Sequence, residues 1–206
     1  MEQSTIGNRL HLVGSIQGAA SFSHTVGDTA FCSFLLGVER RSGTLDVLPV
    51  TAAVHLMPEV LREGETLAIG GQLRAYRQHL PDRRTQLHLT AFAKSVVPQA
   101  GEEVEHENAV ELTGRLVLCP NYRQTPSKRE ITDLLLAVPR AYGRVDCIPV
   151  IAWGGAARRA AALPKDTVLF VRGRFQSRAY QKRMPDGGVD PRTAYEVSAS
   201  ELSVFS

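Results

Sequence analysis

Residues 8–16 read NRLHLVGSI, and residues 108–116 read NAVELTGRL. Asn, Leu and Gly return at the same places, 100 residues apart. The correspondence continues along the chain. FLLGVERRSGTLDVLPV, from Phe34, lies over DLLLAVPRAYGRVDCIPV, from Asp133. Leu35 falls over Leu135, Arg40 over Arg140, Gly43 over Gly143, Asp46 over Asp146 and Pro49 over Pro149. LAIGGQL matches LFVRGRF at an offset of 102, and LTAFAKSVV is matched to VSASELSVF at 108. Loop insertions produce such drift. The chain therefore reads as two copies of one unit of about 100 residues. The first is 1–96 and the second 108–206. Between them VPQAGEEVEHE, residues 97–107, is acidic and has no apolar period, so it reads as a linker.

Within each copy, short alternating or apolar runs are separated by Gly, Pro and polar clusters, which predicts strands. In the first copy the runs are 9–17, 29–39, 45–55, 66–76 and 86–96. In the second they are 109–118, 130–139, 145–153, 167–178 and 193–204. HLMPEVLREGE from His55 and GGAARRAAALPKD from Gly154 predict a short helix after the third strand of each copy. Five strands in so small a unit favour closure, because closure removes exposed edges. The expected fold is all-β: two tandem five-stranded OB-fold barrels.

Composition excludes several classes. Apolar residues make up 43% of the 206, as in a globular protein, and no apolar run reaches the roughly 18 residues that span a bilayer. The start, MEQSTIGNRL, lacks the basic and apolar regions of a secretory signal. A cytoplasmic protein with no membrane partner is expected. Cys32, Cys119 and Cys147 form no CxxC pair, and the six histidines form no HxxxH pair, so neither a metal nor a disulfide framework is expected. G-x-S-x-G, HExxH and GxxxxGK[ST] are absent, and Asp133 and Asp146 read as isolated carboxylates. The expectation is no enzyme and no cofactor.

Charge separates the copies. Residues 1–107 hold nine Lys plus Arg against twelve Asp plus Glu, a net −3. Residues 108–206 hold fifteen against nine, a net +6. A basic surface attracts phosphates and releases counterions on binding. The segment VRGRFQSRAYQKR, from Val171, sharpens this. Alternation puts Val171, Gly173 and Phe175 on one face, and Arg172, Arg174, Gln176, Arg178 and Tyr180 on the other. Lys182 and Arg183 follow, and the Pro-Asp-Gly-Gly run reads as the turn of a long hairpin. CPNYRQTPSKRE, from Cys119, reads as a loop with Tyr122 as a stacking ring and Arg123, Lys128 and Arg129 as phosphate contacts.

NAVELTGRL, DLLLAVPRAYGRVDCIPVIAWGGAA and VLFVRGRFQSRAYQKR resemble bacterial single-stranded DNA-binding proteins. NYRQTPSKREITDLLLAV, DCIPVIAWG, GRFQSRAYQKR and RTAYEVSASEL look most like the tandem single-stranded DNA-binding-like proteins of clostridial-type bacteria. The first copy carries the weaker likeness. The resemblance implies DNA lying along a basic groove with bases stacked on aromatic rings, in replication, recombination or repair. Carried over by position, the rings fall on Tyr142, Cys147, Trp153 and Tyr180, so three of four are kept. In the first copy the places hold Ser42, Val47 and Ala53, with Tyr76 two residues out of register. That copy is expected to bind weakly or to serve as a structural, dimerising barrel.

Stacking is sequence-tolerant because every base has a π-face, and it is worth about 1–3 kcal/mol per base. The same logic fits single-stranded RNA, and the sequence does not separate the two. A protein-interaction barrel, of the primosomal accessory kind, is the rival reading. Taken singly, Trp153 also fits a packing role at a strand end, and Tyr142 also fits a loop anchor. The resemblance further implies four barrels per assembly, which a homodimer would supply; a monomer with internally paired barrels is the alternative. The chain stops at ELSVFS, just after the last strand, so recruitment of replication enzymes through an acidic C-terminal tail is not expected.

Overall fold

The computed structural model describes residues 7–79, 85–101, 104–183 and 187–205. It is almost entirely β. The strands of the first half are β1 (Asn8–Val26), β2 (Thr29–Glu39), β3 (Leu45–Ala53), β4 (Thr66–His79) and β5 (Thr85–Pro98). The second half has β6 (Glu107–Leu116), β7 (Asn121–Gln124), β8 (Glu130–Pro139), β9 (Val145–Trp153), β10 (Val168–Arg183) and β11 (Val189–Val204). One helix, α1 (Gly154–Ala161), follows β9.

Strand pairing closes on itself. In the first half β1 pairs with β2, β2 with β3, β3 with β5, β5 with β4, and β4 with β1. The β3–β5 pair is parallel and the others are antiparallel. This circuit is a closed five-stranded barrel with the strand order of the OB-fold. Pairings β6–β8–β9–β11–β10–β6 trace the same circuit in the second half, with β7 added outside β8.

Alternation explains the core. In β8, Thr132, Leu134, Leu136 and Val138 are buried, and in β9 Ile148, Val150 and Ala152 are. Their neighbours in register supply the matching inward phase, as the period of two requires. The recurring Gly14 and Gly114 mark where the first strand of each half turns between two partners. A Cβ on Gly14 would stand 2.4 Å from the Gly37 carbonyl oxygen, and one on Gly114 3.0 Å from that of Ala137. Only glycine permits such an approach.

The halves join through β1 and β6, antiparallel, with Asn8 opposite Leu112 and Val13 opposite Glu107. Two buried carboxylates tie them further. Asp46 accepts bonds from Arg40 Nη2 (2.6 Å) and Nε (2.7 Å) and, across the join, from the Ser177 amide (2.8 Å). Asp146 accepts from Arg74 Nη1 (3.1 Å) and the Ala75 amide (3.0 Å), both in the opposite half. Asp146 is therefore not isolated, and Asp133 is held by Arg123. Hydrogen bonding to Asp46 raises the Arg40 pKa above its usual value.

Three expectations change. The segment from His55 gives only a 3-10 turn, Val54–Leu56. Met57 is extended there (φ −79°, ψ 144°), as the following Pro58 demands. The loop after Cys119 contains a strand, β7, paired with β8 from Asn121–Asp133 to Gln124–Glu130. The last-strand offset is 106 rather than 108, because Leu73 faces Ala91 and Phe175 faces Val197. An error of two preserves the inward phase, so the faces were read correctly. Pro98 closes β5 and Glu107 opens β6. No helix among the described residues is long and apolar enough to cross a membrane.

Candidate nucleic-acid interface

Ring exposure differs sharply along the second half. Tyr142 is 99% exposed, in the turn between β8 and β9. Its backbone is left-handed (φ 61°, ψ 35°), where a residue with a Cβ costs about 1–2 kcal/mol. Trp153, at the far end of β9, is half-buried, and its indole N–H donates to Ser198 Oγ (3.1 Å), which fixes the ring. Nine residues of strand separate these ends, roughly 26 Å at the usual rise. Tyr122 lies on β7 and donates its hydroxyl to Glu130 (2.7 Å), which raises the phenol pKa. Glu130 also pairs with Arg158 of α1, tying the β7–β8 arm to the helix.

The predicted row of cations is divided by the fold. Arg172 lies between Glu111 (2.9 Å) and Glu201 (3.3 Å), and its charge is largely spent on them. Arg123 is held in a fork by Asp133, at 2.7 and 3.1 Å, which raises the arginine pKa. Gln176, read as facing outward, is buried against Glu196 at 3.1 Å. Arg178 meets the same Glu196 at 3.5 Å and lies over the Tyr180 ring, 5.7 Å from its centre. Arg174 is exposed beside the join between the halves, in a cleft with Glu105 and Glu107. Lys182, Arg183, Lys128 and Arg129 have no carboxylate within ion-pairing distance among the described residues. Lys128 sits at φ 60° in the tight turn that carries Arg129. The hairpin turn read after Arg183 lies partly outside the described residues.

The structure brings Tyr180 and Lys182 together with Tyr76 of the first half. All three line one groove of about 1120 Å³ between the β4–β5 and β10–β11 hairpins. Tyr76 is 55% exposed and stacks on His88, with ring centres 4.9 Å apart and planes 8° from parallel. His88 Nε2 is buried there, with no hydrogen-bond partner among the described residues.

Sequence reasoning missed the first half's other rings: His24, Phe31 and Phe92. His24 stacks on Phe31 at 4.8 Å, and Phe31 lies 5.7 Å from Phe92. The signal was in the alternation. Cys32, Phe34 and Leu36 take the inward phase of β2, so Phe31 stands in the outward one. Phe92 is likewise out of phase with buried Leu89, Ala91 and Ala93.

A closed barrel with rings and cations on its outer surface has the equipment of a single-stranded nucleic-acid binder. The model of the single-strand binding protein family matches residues 107–205. The second half of the chain is therefore similar to that family. The wild-type single-stranded DNA binding protein from Thermus aquaticus is similar in fold: TM-score 0.75 and 22% identity, covering 97% of this chain and 93% of that one. A deletion mutant of the Thermus aquaticus protein gives TM-score 0.72 at 22% identity, over 96% and 93%. The N-terminal domain of PriB protein from Thermoanaerobacter tencongensis is 35% identical over 46% of this chain and 98% of that one, with a TM-score of 0.39, too low to carry an argument. No curated protein matches the chain.

Proposed function

We propose that this chain is two OB barrels in tandem, 1–96 and 108–206 about a linker at 97–107, and that it binds single-stranded DNA without sequence preference. The second barrel is the principal site. Tyr142, Trp153, Tyr180 and Tyr122 stack bases; Lys182, Arg183, Lys128, Arg129, Arg174 and Arg178 meet phosphates, with Arg172 and Arg123 contributing less because carboxylates hold them. The observation that carries this reading is Tyr142. A ring 99% exposed, held in left-handed backbone within a half of net charge +6, has no packing role to explain it. The family match over residues 107–205 points the same way.

The chain works as a homodimer of four barrels, in replication, recombination or repair, near the nucleoid. The likeness to tandem proteins of clostridial-type bacteria rests on NYRQTPSKREITDLLLAV, DCIPVIAWG, GRFQSRAYQKR and RTAYEVSASEL.

Anisotropy of labelled oligothymidine and oligouridine, titrated at several salt concentrations, tests the reading. Saturable binding of oligothymidine is expected, with log K falling against log salt by about 0.7 per phosphate contacted. Tighter binding of oligouridine would assign RNA instead. Failure to bind either at low salt would leave the interaction-module reading.

A further inference from the structure

Asn8 and Asn108 each grip the backbone of a neighbouring strand. Asn8 donates to the Leu73 carbonyl (2.7 Å) and accepts from the Leu73 amide (2.9 Å). Asn108 does the same at Phe175, at 2.6 and 2.8 Å. At these points β4 and β10 have just left their ladders with β1 and β6, whose last pairs are Gly71 with Leu10 and Gly173 with Val110. Amides on one edge of a strand recur every second residue. The next on that edge are therefore Ala75 and Ser177. Their own barrels give them no strand to pair with, and the opposite half takes both. Asp146 accepts the Ala75 amide at 3.0 Å, and Asp46 accepts the Ser177 amide at 2.8 Å.

The two braces are unequal. Ser177 has a hydroxyl where the first half has only Ala75. Its Oγ donates to Asp46 Oδ1 (3.3 Å) and accepts from the Val47 amide (3.2 Å). Arg40, forked on Asp46, also donates to the Ser177 carbonyl at 3.3 Å. The first half thus holds the amide, the carbonyl and the side chain of Ser177. Around Asp146 the arginine contacts are longer, Arg74 at 3.1 Å and Arg140 at 3.7 Å.

The more fully held hairpin is the one that carries the free cations. Phe175 and Gln176 are buried, whereas Arg178 and Tyr180 are exposed. Beyond Ser177 the strand pairs only with β11 among the described residues. A two-stranded hairpin is marginally stable by itself in water, so its root decides how well its tip is ordered.

We propose that Asp46 is a positioning residue for DNA binding by the second half. It touches no nucleotide. It fixes the root of the β10–β11 hairpin from the other barrel, so that Tyr180, Lys182 and Arg183 are ordered before the strand arrives. Ordering done in advance is not charged against binding. The first half, with Ser42, Val47 and Ala53 at its own ring positions, serves the principal site from behind. This deepens the single-stranded DNA reading above and rests on it.

The test uses the full chain and oligothymidine, with anisotropy at several salt concentrations, Trp153 emission and a thermal melt on the same samples. Asp46→Asn takes the charge from the brace and sets an amide donor against Arg40. Its affinity should fall about tenfold, the cost of ordering two or three long side chains on binding. Its salt slope should fall by about 1.4, the loss of two phosphate contacts. Trp153 quenching at saturation should stay as in wild type, because that ring is held by Ser198 on its own barrel. Ser177→Ala should move affinity and slope the same way by less, and Ser177→Thr, which keeps the hydroxyl, should bind as wild type does. Asp146→Asn, which loosens the other hairpin, should leave the slope unchanged. A folded Asp46→Asn with the wild-type slope would overturn the positioning role while DNA binding stands, since lost stability alone lowers the bound fraction without changing the slope. Should Asp46→Asn not fold, Ser177→Ala decides, and a wild-type slope there overturns the role. Wild type that does not bind oligothymidine would overturn the DNA reading and this role with it.

Discussion

The two halves share a strand circuit but differ in what they show to solvent. The second half has +6 charge and holds rings at the turn and end of its β8–β9 hairpin. Residues 1–107 have −3 charge, four of their twelve carboxylates lying in the stretch 97–107, and the first half has Ser42 where the second has Tyr142, with its rings clustered on β2, β4 and β5. Inward-facing positions were kept in both, while outward ones diverged. A barrel core constrains side chains by volume and phase, and an outer face is constrained only by what it binds.

What the halves share most strictly is the contact that joins them. Asp46 and Asp146 are each buried and each accept an amide from the opposite half. Removing one partner of a buried ion pair costs about 3–5 kcal/mol, because the other charge stays uncompensated. Asp46→Ala should therefore lower unfolding free energy by about 3–5 kcal/mol, measured by urea denaturation. Asp146→Ala should do less, since its arginine contacts are longer, Arg74 at 3.1 Å and Arg140 at 3.7 Å against Arg40 at 2.6 Å on Asp46. Equal losses would make the two contacts equivalent despite their geometry.

A smaller effect separates binding from stability. Tyr142→Ala should weaken oligothymidine binding by about 1–3 kcal/mol and leave the melting temperature unchanged, because its ring is 99% exposed. Ser42→Ala in the first half should change neither. A matching loss at Ser42 would break the asymmetry between the halves.

The smallest effect sorts the arginines. Lys182→Gln should reduce the salt slope of binding by about 0.7, the loss of one phosphate contact. Arg172→Gln should change the slope less, since Glu111 and Glu201 already hold that side chain. Equal slopes would mean that DNA displaces these carboxylates.

Much of this was legible beforehand. The recurrence of Leu12, Gly14, Arg40 and Asp46 at Leu112, Gly114, Arg140 and Asp146 is a record of barrel and join, and the limits of β2, β8 and β9 followed from alternation, whereas β1 runs to Val26 and β10 to Arg183, past the ends read at 17 and 178. The fate of the arginine row was not legible. Arg172 and Glu111 lie 61 residues apart, and their pairing depends on the register of β10 against β6. Arg123 and Asp133 depend likewise on β7, a strand of four exposed residues with no apolar signal. The helix from His55 was misread because Pro58 weighs more than the residues after it. Phe31 and Phe92 were legible in phase but lay outside the positions carried over from the family.

The most direct test of the second half as principal site is Trp153 fluorescence during titration with oligothymidine at low and high salt. Trp153 is the single tryptophan, so the signal reports one place. Strong quenching that weakens as salt rises is the predicted result. Salt-sensitive binding seen by anisotropy, with Trp153 emission unchanged to saturation, would contradict a site on the β8–β9 hairpin end.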